Sequence, residues 1–126
     1  MLRCAFFRDF KGANTLLVWG NNDDAVRLRA GLLAFREDQR AAFCVEGGPG
    51  VTRLELQLLS GDGLSRIRGT EEDVVWSCSR EALSHAIAII EPLTTASDGH
   101  QYVDVRGGLA SQIVISVNEY PESLRR

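Results

Sequence analysis

The sequence has little of what marks a specialised class of protein. Its three cysteines, Cys4, Cys44 and Cys78, are widely spaced and odd in number, and no Cys/His cluster has zinc-ligand spacing. We therefore expect three small buried thiols in a reducing compartment, which predicts a cytoplasmic protein. No apolar run approaches the ~20 residues that cross a bilayer, and charges interrupt the first ten residues. The sequence predicts neither a membrane span nor a signal peptide.

Positive charge is also scarce. The formal net charge is −3, and of the 14 basic residues only Lys11 is a lysine. A protein that follows the phosphates of a nucleic acid normally has a basic excess on one face, so we expect no nucleic-acid partner. The preference for arginine is a compositional sign of a GC-rich bacterial genome.

Residues that carry catalysis are few. The two histidines, His85 and His100, are interpreted as a boundary residue on a helix and a turn residue, and no G-x-S-x-G motif is present. The glycine-rich stretches at 47–50 and 61–63 precede no helix, so they lack the amide donors of a phosphate site and predict turns. The acidic residues lack the alternate spacing of a calcium loop. We expect no catalytic residue, no cofactor and no metal.

A faint internal repeat is present instead. Trp19 ends one apolar run and Trp76 ends another, 57 residues later. The same offset carries Ala25 onto Ala82, and further on it carries Leu56 onto Ile113. Recurrence of one order of patterns at a fixed offset is typical of repeated structural units.

Each half of the sequence predicts strand, strand, helix, strand, strand. The residues at 52–59 alternate between apolar and polar, which is typical of an antiparallel sheet with one wetted face. We expect an α+β fold, with a largely antiparallel, twisted sheet and two helices packed on one face. The chain is predicted to be a single domain (1–126), with pseudo-repeats at 1–59 and 60–120 and a polar tail at 121–126.

The first helix, expected over residues 23–36, has two apolar lines. Val26, Ala30 and Leu33 form the line that we assign to the sheet. The surplus line consists of Leu28, Leu32 and Phe35. A helix that is apolar on two sides usually has two neighbours, so this line predicts either a protein partner or second subunit, or a covering loop.

Two further groups are candidates for partner binding. Trp19 and Trp76 stand just before the helices, where they form either core packing or an aromatic rim. A possible acidic patch comprises Asp23, Asp24, Glu71, Glu72 and Asp73.

The sequence shows the order apolar strand, polar cap, Ala/Leu helix, strand, hairpin and strand. It also contains the closing run QIVISVNEYP at 112–121. Together they resemble small bacterial immunity proteins of polymorphic toxin systems. The resemblance implies a compact cytoplasmic α+β domain that binds and blocks a toxin, and it assigns no functional residue.

Three functions remain open from the sequence. The first is a non-catalytic, cytoplasmic protein-binding domain with the toxin-neutralising role that the resemblance implies. The second is a self-associating structural protein, a homodimer formed through the surplus helix line or an edge strand. The third is a small enzyme or ligand-binding domain with a cleft between the halves, using Cys44 or His100.

Overall fold

The computed structural model describes residues 2–38, 42–44, 51, 53–59, 65–106, 108–121, 123 and 124, with only the backbone described at 38 and 42–44. The predicted loop at 47–50 and turn at 60–63 lie outside these residues. The elements in chain order are β1 (Arg3–Phe10), β2 (Ala13–Gly20), α1 (Asn22–Asp38), β3 (Ala42–Cys44), β4 (Arg53–Leu58), β5 (Ser65–Gly69), β6 (Asp73–Cys78), α2 (Arg80–Ile90), a 3₁₀ helix (Glu91–Thr94), β7 (Gly99–Asp104) and β8 (Gln112–Val117).

The strands form two mixed sheets, and the fold is α+β. Sheet A has the order β1-β2-β8-β7 and sheet B has the order β3-β4-β6-β5. In each sheet the central pair is parallel and both outer pairs are antiparallel. Four of the six strand pairs are antiparallel, in line with the prediction, but the strands form two sheets instead of one and each central pair is parallel. Local alternation does not encode which strands pair across the chain.

Both helices begin with side-chain caps and run antiparallel to each other. At the start of α1, the Asn21 amide N–H donates to Asp24 Oδ2 at 2.9 Å and the Asp24 N–H donates to Asn21 Oδ1 at 3.0 Å. Ser79 caps α2 by accepting from the Ala82 N–H at 3.0 Å. Arg80 Nη1 donates to the Arg36 carbonyl at 3.1 Å, so the end of α1 lies beside the start of α2.

One hydrophobic cluster joins the helices to the inner faces of both sheets. Leu28, Leu32 and Phe35 of α1 lie in it with at most 2% exposure, whereas Val26 is 50% exposed. The assignment of helix faces was therefore wrong: the surplus line is the core line. The physical reason is that the larger side chains gain more from leaving water, and periodicity alone does not say which line faces inward.

The two tryptophans differ in the face of the sheet that they occupy: Trp76 is on the inner face of sheet B, and Trp19 is on the outer face of sheet A. Trp76 is buried in the central cluster, whereas Trp19 belongs to a second cluster on the outer face of sheet A. Neighbouring residues of a strand point to opposite faces. The offset of 57, which matches Trp19 with Trp76, therefore aligns β2 with β6 in a register that is wrong by one residue. Pairing Val18 with Trp76 restores the match, because both face the central cluster.

A backbone seam connects the two sheets along the edge of β5. The Arg106 N–H donates to the Ser65 carbonyl at 2.8 Å, and the Leu109 N–H donates to the Ile67 carbonyl at 3.2 Å. Gly108 lies between them with φ +81°, and a Cβ there would meet the Ile67 carbonyl oxygen at 2.0 Å. The seam therefore requires glycine at this position.

The outer face of sheet A is covered by the end of the chain. Ala5, Leu17 and Val114 are at most 1% exposed, and Tyr120 and Leu124 pack against their cluster. Trp19 Nε1 donates to the Pro121 carbonyl at 2.9 Å. We call residues 118–121, 123 and 124 the C-terminal segment; Leu124 thus packs where the sequence predicted a polar tail.

Among the described residues, no helix is both long and apolar enough to cross a membrane.

Candidate protein-binding surface

The candidate apolar site residues are not on the surface. Leu28, Leu32 and Phe35 lie in the core, and Trp19 and Trp76 are 1% and 2% exposed. The two tryptophans therefore do not form an exposed aromatic rim. Both are packed in the interior, which was the other alternative.

The five acidic candidates do not meet in one patch. Asp24 is 4% exposed and caps α1, while Asp23 lies in the first turn of that helix. Glu71 and Glu72 lie in the turn between β5 and β6, and Asp73 is the first residue of β6.

The position of Glu71 along β2 shows the separation. Glu71 lines a depression with Asn14 and Thr15, at the start of β2, whereas Asp23 follows the other end of that strand. A strand of that length separates its ends by ~25 Å, too far for one acidic surface.

The outer face of sheet B carries exposed side chains in the described ranges. The predicted alternation is confirmed over β4: Leu54 and Leu56 point into the core, while Arg53 and Gln57 are exposed. No apolar cluster covers this face in the described part of the chain, in contrast to sheet A.

Arginine side chains dominate this face. Arg66 and Arg68 alternate with the buried Ile67 on β5, and together with Arg106 and Gly108 they surround a depression of about 440 Å³. We call Arg66, Arg68 and Arg106 the arginine cluster. The seam brings Arg106 beside β5, so the cluster combines two distant parts of the chain.

Neighbouring side chains hold Arg68 in place. Its Nη2 donates to Ser77 Oγ at 3.1 Å and to Gln57 Oε1, and the Ser77 hydroxyl donates to the same Gln57 oxygen at 3.2 Å. Arg53 lies 3.9 Å from Glu55, whereas Arg66 and Arg106 have no ion-pair partner among the described residues. Within the part of the chain that the structure describes, two guanidinium groups of the cluster thus have no carboxylate beside them, and a guanidinium pairs well with an anion.

The sequence contains one signal for this cluster. Arg66 and Arg68 flank Ile67 in a short strand, so they must share a face. The recruitment of Arg106 depends on the seam, which no local pattern predicts.

A second polar group lies at the rim of sheet A. His100 Nδ1 lies 2.9 Å from Glu119 Oε1, and the Ser116 hydroxyl donates to the same oxygen at 2.6 Å. The serine contacts the carboxylate and not the imidazole, so the three side chains do not have the Ser–His–acid order of a catalytic triad. This group fastens the C-terminal segment to strands β7 and β8.

Glu119 has a shifted acidity. Burial raises the pKa of its carboxyl, but the Ser116 and His100 hydrogen bonds and the His100 and Lys11 charges outweigh that effect and lower the pKa below its ordinary value. The ionised form is therefore the one that the fold stabilises.

The described cysteines are not poised for nucleophilic chemistry. Cys4 and Cys78 are buried and free of disulfides. Burial raises the pKa of Cys78 to about 11 and also raises that of Cys4, so both are neutral thiols near pH 7. The side chain of Cys44 lies outside the described residues.

Comparisons of this chain with protein-family models, with curated proteins and with solved structures found no match.

Proposed function

We propose that the protein is a non-catalytic protein-binding domain whose contact surface is the outer face of sheet B. The observation that supports this most strongly is the contrast between the sheets. The C-terminal segment covers the outer face of sheet A, whereas no described residue forms an apolar cover over the arginine-bearing face of sheet B.

The chemistry of this face favours an acidic partner. Arg53, Arg66, Arg68 and Arg106 are exposed there or beside it, in a chain whose formal net charge is −3. Arginine is enriched among residues that dominate binding energy, because its planar donors pair with carboxylates in two places at once. A complementary surface also raises the association rate and excludes basic competitors.

The resemblance to immunity proteins suggests which partner to seek. We propose a bacterial toxin as the partner and the cytoplasm as the compartment. The two free, buried thiols, Cys4 and Cys78, fit a reducing compartment.

We further propose that the chain consists of two equivalent ββαββ units. The strand orders support this, because exchanging the units turns β1-β2-β8-β7 into β5-β6-β4-β3, which is sheet B. The helices agree when their caps are aligned: Ala25, Leu28 and Leu32 then coincide with Leu83, Ala86 and Ile90, and all six are buried. In this arrangement each unit contributes two strands to either sheet, so neither unit closes a core alone.

Co-expression tests the proposed function. The protein is produced in bacteria together with each reading frame that flanks its gene, and growth is measured with and without it. We expect one flanking frame to be toxic and the wild-type protein to restore growth. The variant Arg66→Glu/Arg106→Glu should fail to restore it, whereas Arg27→Glu, which reverses an exposed charge on α1, should protect like the wild type.

Two results would overturn the proposal in different ways. Equal protection by the double variant and the control would remove sheet B as the contact surface. Absence of any toxic flanking frame, together with a protein that elutes only as a self-associated species, would favour the structural alternative through an edge strand.

A further inference from the structure

Arg66 lies at the centre of the arginine cluster. Its side chain points to the outer face of sheet B, because its neighbours Ser65 and Ile67 are buried on the inner face. On one side, Arg66 is the register partner of Ser77 in β6, which places their Cβ atoms about 5 Å apart. On the other side, the Arg106 N–H donates to the Ser65 carbonyl at 2.8 Å, so the backbone of Arg106 lies about 5 Å from β5.

Arg68 brings its charge to the same place. Arg66 and Arg68 share one face of β5, with their Cα atoms about 7 Å apart. Arg68 Nη2 donates to Ser77 Oγ at 3.1 Å, so the head of Arg68 lies against the residue opposite Arg66. Val105 is buried in the central cluster, whereas the next residue, Arg106, is exposed. The three arginines therefore surround one depression, whose walls are mainly their own side chains.

The described part of the chain supplies no compensating negative charge to the cluster. Arg66 and Arg106 have no ion-pair partner there, and the hydrogen bonds of Arg68 go to uncharged side chains. The carboxylate of Glu55 is on β4, two strands away from β5, and it lies 3.9 Å from Arg53. Three like charges held this close repel one another, and an anion with more than one charge would relieve that repulsion.

We propose that the arginine cluster binds a phosphate monoester carried by a side chain of the protein partner. A phosphate monoester has a charge of about −2 near pH 7 and three acceptor oxygens, whereas a carboxylate has one charge and two oxygens. Three guanidinium groups, each able to donate two parallel hydrogen bonds, therefore match phosphate more completely.

The shape of the depression favours a group that a protein presents. Small-molecule sites normally enclose most of their ligand, whereas this depression lies on an exposed sheet face. The inference rests on the proposed function, because it assigns the chemistry that the same contact surface recognises.

Titration of the isolated protein, followed by amide chemical shifts at constant ionic strength, tests the inference with a matched pair of probes. N-acetylphosphoserine methylamide is compared with N-acetylaspartic acid methylamide, which carries a carboxylate. We expect the phosphoserine compound to give saturable shifts confined to residues 57, 66–68, 77 and 106, and to bind at least tenfold more tightly than the aspartate compound.

Single substitutions identify the groups that bind. Arg66→Gln and Arg106→Gln should each weaken binding of the phosphoserine compound roughly tenfold, the typical loss of a charge-assisted hydrogen bond. Arg27→Gln, which removes an exposed charge on α1, should leave the affinity unchanged. The spectrum of each variant verifies that it is folded.

The outcomes that would overturn the inference are distinct from failure of the proposed function. Equal affinity for the two probes, shifts that do not saturate, or wild-type affinity in both cluster variants would show that the cluster is not a phosphate site. Tighter binding of adenosine monophosphate than of the phosphoserine compound would show that the assigned source is wrong. If phosphate does not bind but Arg66→Glu/Arg106→Glu abolishes protection in co-expression, only this inference fails; if phosphate binds and that variant protects, only the proposed function fails.

Discussion

At the residue scale, the seam between the sheets depends on a single missing Cβ. Gly108→Ala should destabilise the protein by about 3 kcal/mol, because alanine is strained at φ +81° and its Cβ would meet the Ile67 carbonyl oxygen. Gly12→Ala is the matched control: its φ is +90°, but nothing lies within 4 Å of the added atom.

Strain alone should cost Gly12→Ala about 1 kcal/mol. Urea unfolding of both variants, followed by circular dichroism, measures the difference. Equal losses would mean that the close approach at Gly108 is absent in solution.

The two tryptophans allow a second comparison of single residues. Trp19→Phe removes the donor to the Pro121 carbonyl, so the C-terminal segment should open more often. Trp76→Phe removes an N–H that has no hydrogen-bond partner among the described residues, so that segment should be unaffected. Amide hydrogen exchange of Leu124, whose N–H donates to the Pro121 carbonyl at 3.1 Å, reports the opening. Faster exchange in both variants, or in neither, would contradict the assigned contact.

At this scale the sequence predicted local roles better than surfaces. The alternation around Leu54 and Leu56 follows from nearest neighbours, and it is confirmed. The burial of Trp19 required knowledge of what covers sheet A. Its partner Pro121 lies 102 positions away, which no local pattern encodes.

At the scale of elements, the inward face of α1 can be tested directly. Leu32→Ala should destabilise the protein by about 3 kcal/mol, since Leu32 is fully buried and its truncation leaves a cavity. Val26→Ala, on the opposite side, should change the free energy of unfolding by less than about 0.5 kcal/mol. Thermal unfolding of both variants measures the two losses of stability. A larger loss of stability for Val26→Ala than for Leu32→Ala would support the face assignment made from the sequence.

The C-terminal segment gives the fold a dependence on acid. The pKa of Glu119 is lower in the folded protein than its ordinary value of 4.5. The stabilisation is therefore complete above that value, and it is lost as the pH falls through the lower, folded value. Glu119→Gln keeps an acceptor but cannot ionise, so its stability should fall less steeply below about pH 4.5. Urea unfolding at a series of pH values compares the two proteins, and parallel curves would show that Glu119 does not contribute.

The number and type of the elements followed from periodicity, whereas their mutual placement did not. The first helix, predicted over residues 23–36, is observed at Asn22–Asp38. Which line of α1 faces the core depends on the packing of α1 against α2 and the sheets, and the sequence pattern is the same for either orientation.

At the scale of the whole molecule, the division into two sheets determines which surface is exposed. Strands β2 and β8 pair although about a hundred residues separate them. Strands β4 and β6 also pair, although β5 lies between them in the chain. The sequence pattern predicted the amphipathic strands, but it did not predict that each sheet combines strands from both halves of the chain. The arginine cluster therefore emerged only from the structure, and the acidic patch expected from the sequence did not form.

The central claim is that a protein partner binds the outer face of sheet B. Hydrogen–deuterium exchange of the chain, alone and bound to the partner identified by co-expression, tests it most directly. We predict slower exchange in β4, β5 and β6, with β1, β2 and the C-terminal segment unchanged. Slower exchange confined to sheet A or to the C-terminal segment would contradict the claim.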